Sequence, residues 1–206
     1  SILDSFHECT AISLDGTWGS GKTFFVRQTQ LLLDYSSDPK KIKQNVKSQV
    51  DRIIRENQSI YKRLANITQK HATVYYDAWK HDCDADPILS IAYAVTDDKQ
   101  VNYRIKNSRD YVDILSSIAD FITGMNISPI VKACQGESPV SEIKHDESIS
   151  TLLKKLFDKA LGEKNDRLVI FIDELDRCKP TFAVSLLERI KHYFTDDRLT
   201  FVFSIN

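Results

Sequence analysis

Gly16-Thr17-Trp18-Gly19-Ser20-Gly21-Lys22-Thr23 satisfies the pattern G-x-x-x-x-G-K-[ST] at every constrained position. Residues of these types at this spacing bind anions. Glycines at the bends let the main chain fold tightly, so that successive N–H groups converge on phosphate oxygens. A helix opening near Lys22 points its positive end at the same anion. Lys22 is expected to bridge β- and γ-phosphates, and the Thr23 hydroxyl to ligate Mg2+. Gly16, Trp18, Gly19, Ser20, Gly21, Lys22, Thr23 and Phe24 make up the expected nucleotide-binding set.

A second constellation lies far along the chain. Leu168-Val169-Ile170-Phe171-Ile172 is an apolar run that ends in Asp173-Glu174. Asp173 is expected to hold Mg2+ through water opposite Thr23. Glu174 is placed to polarise a water for attack on the γ-phosphate. The other reading of the two acids is that they cap the following helix. Asp173-Glu174-Leu175-Asp176 lacks the glycine of a GTPase D-x-x-G, and the chain has no N-K-x-D guanine reader, so ATP is the expected nucleotide. Asp176 and Arg177 either contact a neighbouring subunit's nucleotide or form a local ion pair. Asn206 follows the run Leu199–Ser204 and is a candidate for orienting the attacking water.

Elements must bring these residues together. Ala11–Leu14, Thr73–Tyr76, Leu168–Ile172 and Leu199–Ser204 are compact apolar runs bounded by polar or turn residues, as buried parallel strands are. Helical patterns fill the gaps: Phe24–Leu33 after the first run, Pro87–Val95 after the second, and a helix opened by Pro180 after the third. Strands alternating with helices predict an α/β fold, a three-layer sandwich around a mostly parallel sheet, with helical insertions. Trp79, at a strand end beside the phosphate loop, packs in the core by default, and packing against the loop or lining the nucleotide site are its other readings.

Two stretches read as insertions. Residues 40–70 are expected to form one long amphipathic helix whose seam is Val46, Val50, Ile53, Asn57, Ile60, Leu64 and Ile67. That seam packs along the domain's own flank or forms a coiled coil. The segment is basic, with Lys40, Lys41, Lys43, Lys47, Arg52, Arg55, Lys62, Arg63 and Lys70 against Asp51 and Glu56. It is either a solvated face or a surface for nucleic acid or an anionic membrane. Residues 97–150 form the second insertion, with a linker at Gln135–Ser141.

With 206 residues, 42% hydrophobic and 28% charged, the chain suits one domain carrying insertions and can bury a core. Its net charge of −1 favours no class of partner. Cys9, Cys83, Cys134 and Cys178 are far apart with no C-x-x-C pair, which argues against zinc or a disulfide framework and fits a reduced, cytoplasmic setting. The stretch from Tyr111 to Cys134 is the most apolar, but Asp113, Asp120, Asn126 and Pro129 make a membrane span too costly. A buried or half-buried helix is expected there. His81-Asp82-Cys83-Asp84-Ala85-Asp86 lacks the glycine of a calcium loop and the second ligand pair of a zinc site. The chain opens at Ser1 and stops at Asn206 straight after a strand-like run. It therefore reads as a piece, cut at both ends, of a longer protein whose other domains, or further copies of the chain, are the expected partners.

Taken together, GTWGSGKT at Gly16–Thr23, YYDAWKHD at Tyr75–Asp82 and VIFIDELDRCKP at Val169–Pro180, followed by FVFSIN, resemble the KAP P-loop NTPases. The loop tryptophan, the D-A-W-K strand end and the D-E-L-D-R-C run are the specific part. The resemblance covers most of the chain and leaves out 40–70 and 97–150. It implies an ASCE-type ATPase core, distantly similar to AAA+ and STAND proteins, inside a large multidomain protein. Some bacterial members are linked to phage exclusion, and animal relatives act as membrane signalling scaffolds. Some members carry two transmembrane helices between the Walker motifs, where this chain is too polar for a span. The family often has aspartate where Glu174 stands and an acid where Asn206 stands. The expected activity is Mg-dependent ATP binding and hydrolysis driving a conformational switch, with an arginine supplied from later in the chain or by a neighbour. The alternatives are a nucleotide-gated scaffold with negligible turnover and a nucleic-acid-dependent ATPase.

Overall fold

Arg167–Asp173 is buried at every position. Such a run has no polar face to offer water, so it belongs inside a parallel sheet. The computed structural model, which describes residues 8–97, 110–124 and 148–205, makes this segment β3 of a four-stranded sheet. β1 (Thr10–Asp15), β2 (His71–Asp77) and β4 (Leu199–Ile205) complete it in the order β1-β4-β3-β2, all parallel. The register pairs Asp77 with Asp173, Ile172 with Phe203 and Leu14 with Ser204. The strands' carboxyl ends thus finish together, and ligands of open α/β sheets bind beyond that edge. All four expected strands are present, each longer by one to three residues.

The chain divides into two compact units. One comprises Ser1–Trp79, Leu161–Cys178 and Asp196–Asn206, and the other Lys80–Ala160 and Lys179–Thr195. The first unit carries the sheet and α1 (Lys22–Ser37), α2 (Gln44–Glu56) and α3 (Gln58–Ala65). Helix α1 sets Val26 and Leu33 against Val169 and Phe171, with Ile12, Leu14 and Val202 around them. Truncating Phe171 to alanine would cost about 3–5 kcal/mol. Beside this apolar contact runs a polar one. The buried Thr73 hydroxyl donates to Asp34 Oδ1 at 2.6 Å and accepts from Gln30 Nε2 at 3.2 Å. Gln30 and Asp34 are one turn apart on α1. The helix that opens at Lys22 is therefore fixed to the sheet by two kinds of contact.

The second unit is helical: α4 (Pro87–Asp97), α5 (Asp110–Thr123), most of α6 (Ile149–Leu161) and α7 (Pro180–Tyr193). Helix α4 packs on α5 and α7. Asp86 accepts from Ile88 N–H at 2.8 Å and pairs with Arg189 at 3.2 Å. Pro180 occupies the first turn of α7, as its fixed φ predicts. Helix α5 falls within the apolar stretch from Tyr111 and buries Tyr111, Ile114 and Ile118. Residues 125–134 of that stretch and the linker Gln135–Ser141 lie outside the described residues. Among the described residues, no helix is long and apolar enough to cross a membrane.

The single helix expected over 40–70 is corrected to a short turn at Pro39–Lys41 and two helices, broken at Asn57 (φ −129°, ψ 90°). The expected seam changes with it. Val50 and Ile54 are buried, while Ile53 is 47% exposed. A straight helix repeats every 3.6 residues, so the i, i+4 pair at 50 and 54 shares one face and Ile53 turns away. Ile60 and Leu64 are partly buried on α3. Lys40, Lys43, Arg52, Arg55, Lys62 and Lys70 are exposed.

Candidate functional site

Between the end of β1 and the start of α1, the loop Gly16–Gly21 reverses the chain. The Ser20 N–H donates to the Thr17 carbonyl at 3.1 Å. Gly19 (φ 77°) and Gly21 (φ 87°) are left-handed, and Gly21 is the N-cap of α1. That conformation costs a residue with a Cβ about 1–2 kcal/mol, so glycine at these two places lets the loop close. No side chain caps α1, and a helix start of this kind offers its first N–H groups to an anion. Lys22 Nζ lies over the loop, donating to the carbonyls of Gly16 and, at 3.2 Å, Thr17.

Asp173, at the tip of β3, is 2% exposed. Tyr75 Oη donates to its Oδ2 at 2.9 Å, and the Glu174 N–H to its Oδ1 at 3.0 Å. Burial pushes its pKa up, yet donors from Ser204, Thr23, Tyr75 and Glu174 N–H outweigh burial and hold the carboxyl below its ordinary value. The aligned hydrogen bonds among these come from Tyr75 and the Glu174 amide, while the buried Ser204 hydroxyl has no hydrogen-bond partner. A buried, ionised carboxylate beside a threonine hydroxyl suits a hard cation. Among the described residues, no three His, Cys, Asp or Glu side chains could hold a metal by themselves. An ion at Asp173 and Thr23 would draw its other ligands from phosphate and water, as Mg2+ does.

Tyr75 is kept as a donor. Burial first, and then its bond to Asp173, raise its pKa above the ordinary tyrosine value. The guanidinium carbon of Arg27 lies 3.2 Å from the Tyr75 ring centroid. Arg27 follows Thr23 by one helical turn, so α1 presents both to the β2–β3 edge.

Glu174 has φ 60° and ψ 27°, the one positive φ outside glycine among the described residues. Such a conformation costs on the order of 1–3 kcal/mol and gathers at functional sites. Burial raises the Glu174 carboxyl above its ordinary pKa, with Arg177 opposing and Asp173, Asp176 and Asp77 adding. Arg177 Nε lies 2.6 Å from Glu174 Oε2. Its guanidinium carbon is 4.6 Å from the Trp18 ring centroid and 5.6 Å from that of Trp79. Trp18 Nε1 donates to Asp176 Oδ2 at 3.2 Å.

The model of the KAP family P-loop domain matches residues 1–206, the whole chain. The chain belongs to the KAP family. No individually curated protein matches it. For a KAP P-loop domain, nucleotide binding and nucleoside triphosphate hydrolysis are the expected chemistry, and the α/β sheet and its loop have the matching architecture.

Of the site residues read from the sequence, the structure gathers Gly16, Gly19, Ser20, Gly21, Lys22 and Thr23 with Asp173 and Glu174 at the carboxyl edge of the sheet. Trp18 and Phe24 are 65% and 70% exposed; Trp18 meets Asp176 and Arg177. Asn206 lies outside the described residues. Neither acid caps α7, whose N-cap is Lys179. Arg177 forms the local ion pair, while Asp176 bonds to Trp18. Trp79 departs from core packing, being 52% exposed. His81 and Asp84 pair with each other at 2.8 Å, and Asp86 caps α4, a structural use for the acids of that run. Tyr75 and Arg27 carry no role in the sequence reading. The signal for Tyr75 was its place two residues before the end of a strand that neighbours β3, within diagonal reach of Asp173.

Proposed function

We propose that this KAP domain binds ATP with Mg2+ and hydrolyses it to drive a conformational switch in a larger protein. The observation that carries the reading is that the uncapped start of α1, with Gly19 and Gly21 left-handed before it, and the buried, ionised Asp173 stand at the same carboxyl edge of the sheet. That arrangement joins the end of the phosphate loop to the acidic strand tip, as a site for a phosphate-bound cation requires. ATP is preferred to GTP because the chain has neither D-x-x-G after β3 nor N-K-x-D.

In this reading the loop amides and Lys22 bind and orient the triphosphate. Thr23 and Asp173 would hold Mg2+, which supplies charge neutralisation across the β- and γ-phosphates when bound. Glu174 accepts a proton from water as its oxygen bonds to the γ-phosphorus, while the bond from that phosphorus to the bridging oxygen breaks, giving ADP and inorganic phosphate. Its raised pKa makes Glu174 a better proton acceptor than an ordinary glutamate. Asn206 remains a proposed aid to water orientation. Family membership extends the proposal to a switch in anti-phage defence, working with other domains or copies of the chain.

The test is a pair of variants. Lys22→Ala should abolish ATP binding by calorimetry. Glu174→Gln should bind ATP like the parent and lose phosphate release by about 10²–10⁴-fold, keeping a residual rate. Parental turnover by Glu174→Gln would remove Glu174 as the base.

A further inference from the structure

Arg177 is held by three side chains of the sheet-bearing unit. Glu174 takes its Nε at 2.6 Å, and the rings of Trp18 and Trp79 lie 4.6 and 5.6 Å from its guanidinium carbon. Core packing does not account for two tryptophans that are each more than half exposed. Stacking on a guanidinium does. Trp18 is also tied to Asp176 through its indole N–H, so one residue of the phosphate loop grips two successive residues beyond β3. These are the chain's only two tryptophans.

We propose that Arg177, stacked on Trp18 and Trp79, is a positioning residue that fixes the orientation of the Glu174 carboxylate, and that Trp18 links this orientation to the phosphate loop. The proposal rests on the reading of Glu174 as general base. A free glutamate side chain samples several rotamers, and the short ion pair selects one. It occupies Oε2 and leaves Oε1 able to accept a proton. Arginine suits the place because its edge bonds a carboxylate while its flat face stacks on rings, and lysine offers charge without the plane. Since one stacking ring belongs to the loop, a shift of the loop on binding phosphate reaches Glu174 through Arg177.

The experiment uses the full chain and three measurements: ATP affinity by calorimetry, steady-state phosphate release, and tryptophan emission without nucleotide. Arg177→Ala is expected to lower kcat on the order of tenfold, part of the ~10²–10⁴ that a positioned base supplies, with KM and ATP affinity unchanged. Arg177→Lys should not restore it, and should Arg177→Ala fail to fold, Arg177→Lys carries the same test. Trp79→Phe keeps an aromatic face and should retain more kcat than Trp79→Ala. In the Glu174→Gln background, Arg177→Ala should lower residual turnover no further, the mark of a residue acting through Glu174. Glu174→Gln should also shift tryptophan emission in the nucleotide-free protein, because it loosens the arginine between the rings. Parental kcat in Arg177→Ala while Glu174→Gln keeps only a residual rate would overturn the proposal and leave the base reading standing. An equal loss in both backgrounds, or unchanged emission in Glu174→Gln, would overturn it too. Parental turnover by Glu174→Gln itself would instead remove the base reading on which it rests.

Discussion

The hydroxyl of Tyr75 donates to Asp173 Oδ2 at 2.9 Å, across from β2 to the tip of β3. Tyr75 pairs in register with Phe171, two residues before Asp173, so the bond is a diagonal reach along one sheet face. It fixes one carboxylate oxygen while the Glu174 amide holds the other at 3.0 Å. Partners of this kind, behind a metal ligand, orient it and are worth about 10–100-fold in metal affinity. Tyr75→Phe should therefore weaken Mg2+-dependent ATP binding by about tenfold and leave binding in chelator unchanged. Calorimetric titrations with and without Mg2+ would read the difference. Equal weakening in both would mean that Tyr75 supports the fold and not the cation site.

The loop's geometry makes a separate demand. Gly21 caps α1 at φ 87° with open space where a Cβ would stand, so the penalty for Gly21→Ala is conformational and not steric. About 1–2 kcal/mol of lost stability is expected, a fall of a few degrees in Tm for a domain of this size. ATP affinity should fall as well, because relief of the strain rotates the amides away from the anion. A stable Gly21→Ala protein with parental affinity would show that the left-handed cap is not needed for binding.

Acid should act on the two carboxylates with opposite signs. Asp173 has a folded-state pKa below its ordinary value. Its contribution to stability is thus present above the unfolded pKa of about 3.9 and lost as pH falls through the lower folded value. Glu174 is raised, so its protonation on acidification favours the folded state. Between about pH 5 and pH 3, Asp173→Asn should lose less stability than the parent and Glu174→Gln should lose more. Urea unfolding at several pH values would separate them. Identical pH slopes in all three proteins would mean that neither carboxylate is perturbed by folding.

The chemistry-bearing runs were legible because their spacing is dictated locally. The loop from Gly16 to Thr23 needs glycine where φ is positive, and Leu168–Ile172 is apolar because β3 is buried at every position. What was not legible depends on contacts distant in sequence. Trp79 looked like core until Arg177 gave its exposed ring a partner. The left-handed backbone at Glu174, which opens the short turn Leu175–Arg177, and the ion pair across that turn were announced by no residue type. The heptad-like seam in 40–70 was misread because hydrophobic spacing alone does not say whether one helix or two present it.

That break yields the last prediction. Neither glycine nor proline stands at Asn57, and its side chain makes no capping bond to α3. Packing must therefore hold the two helices apart. Residues in a continuous helix advance by roughly 100° each, so Ile60 and Leu64 would lie about 80–120° around the axis from Ile54. They would leave the face that Val50 and Ile54 bury. The break rotates them back toward the domain. Asn57→Ala should accordingly leave two helices, with stability changed by no more than about 0.5 kcal/mol and helical circular dichroism unchanged. Replacing Ile60 and Leu64 together with serine removes the reason for the break and should let α2 lengthen, even as stability falls. A rise in helical signal from Asn57→Ala alone would assign the break to the asparagine backbone and not to packing.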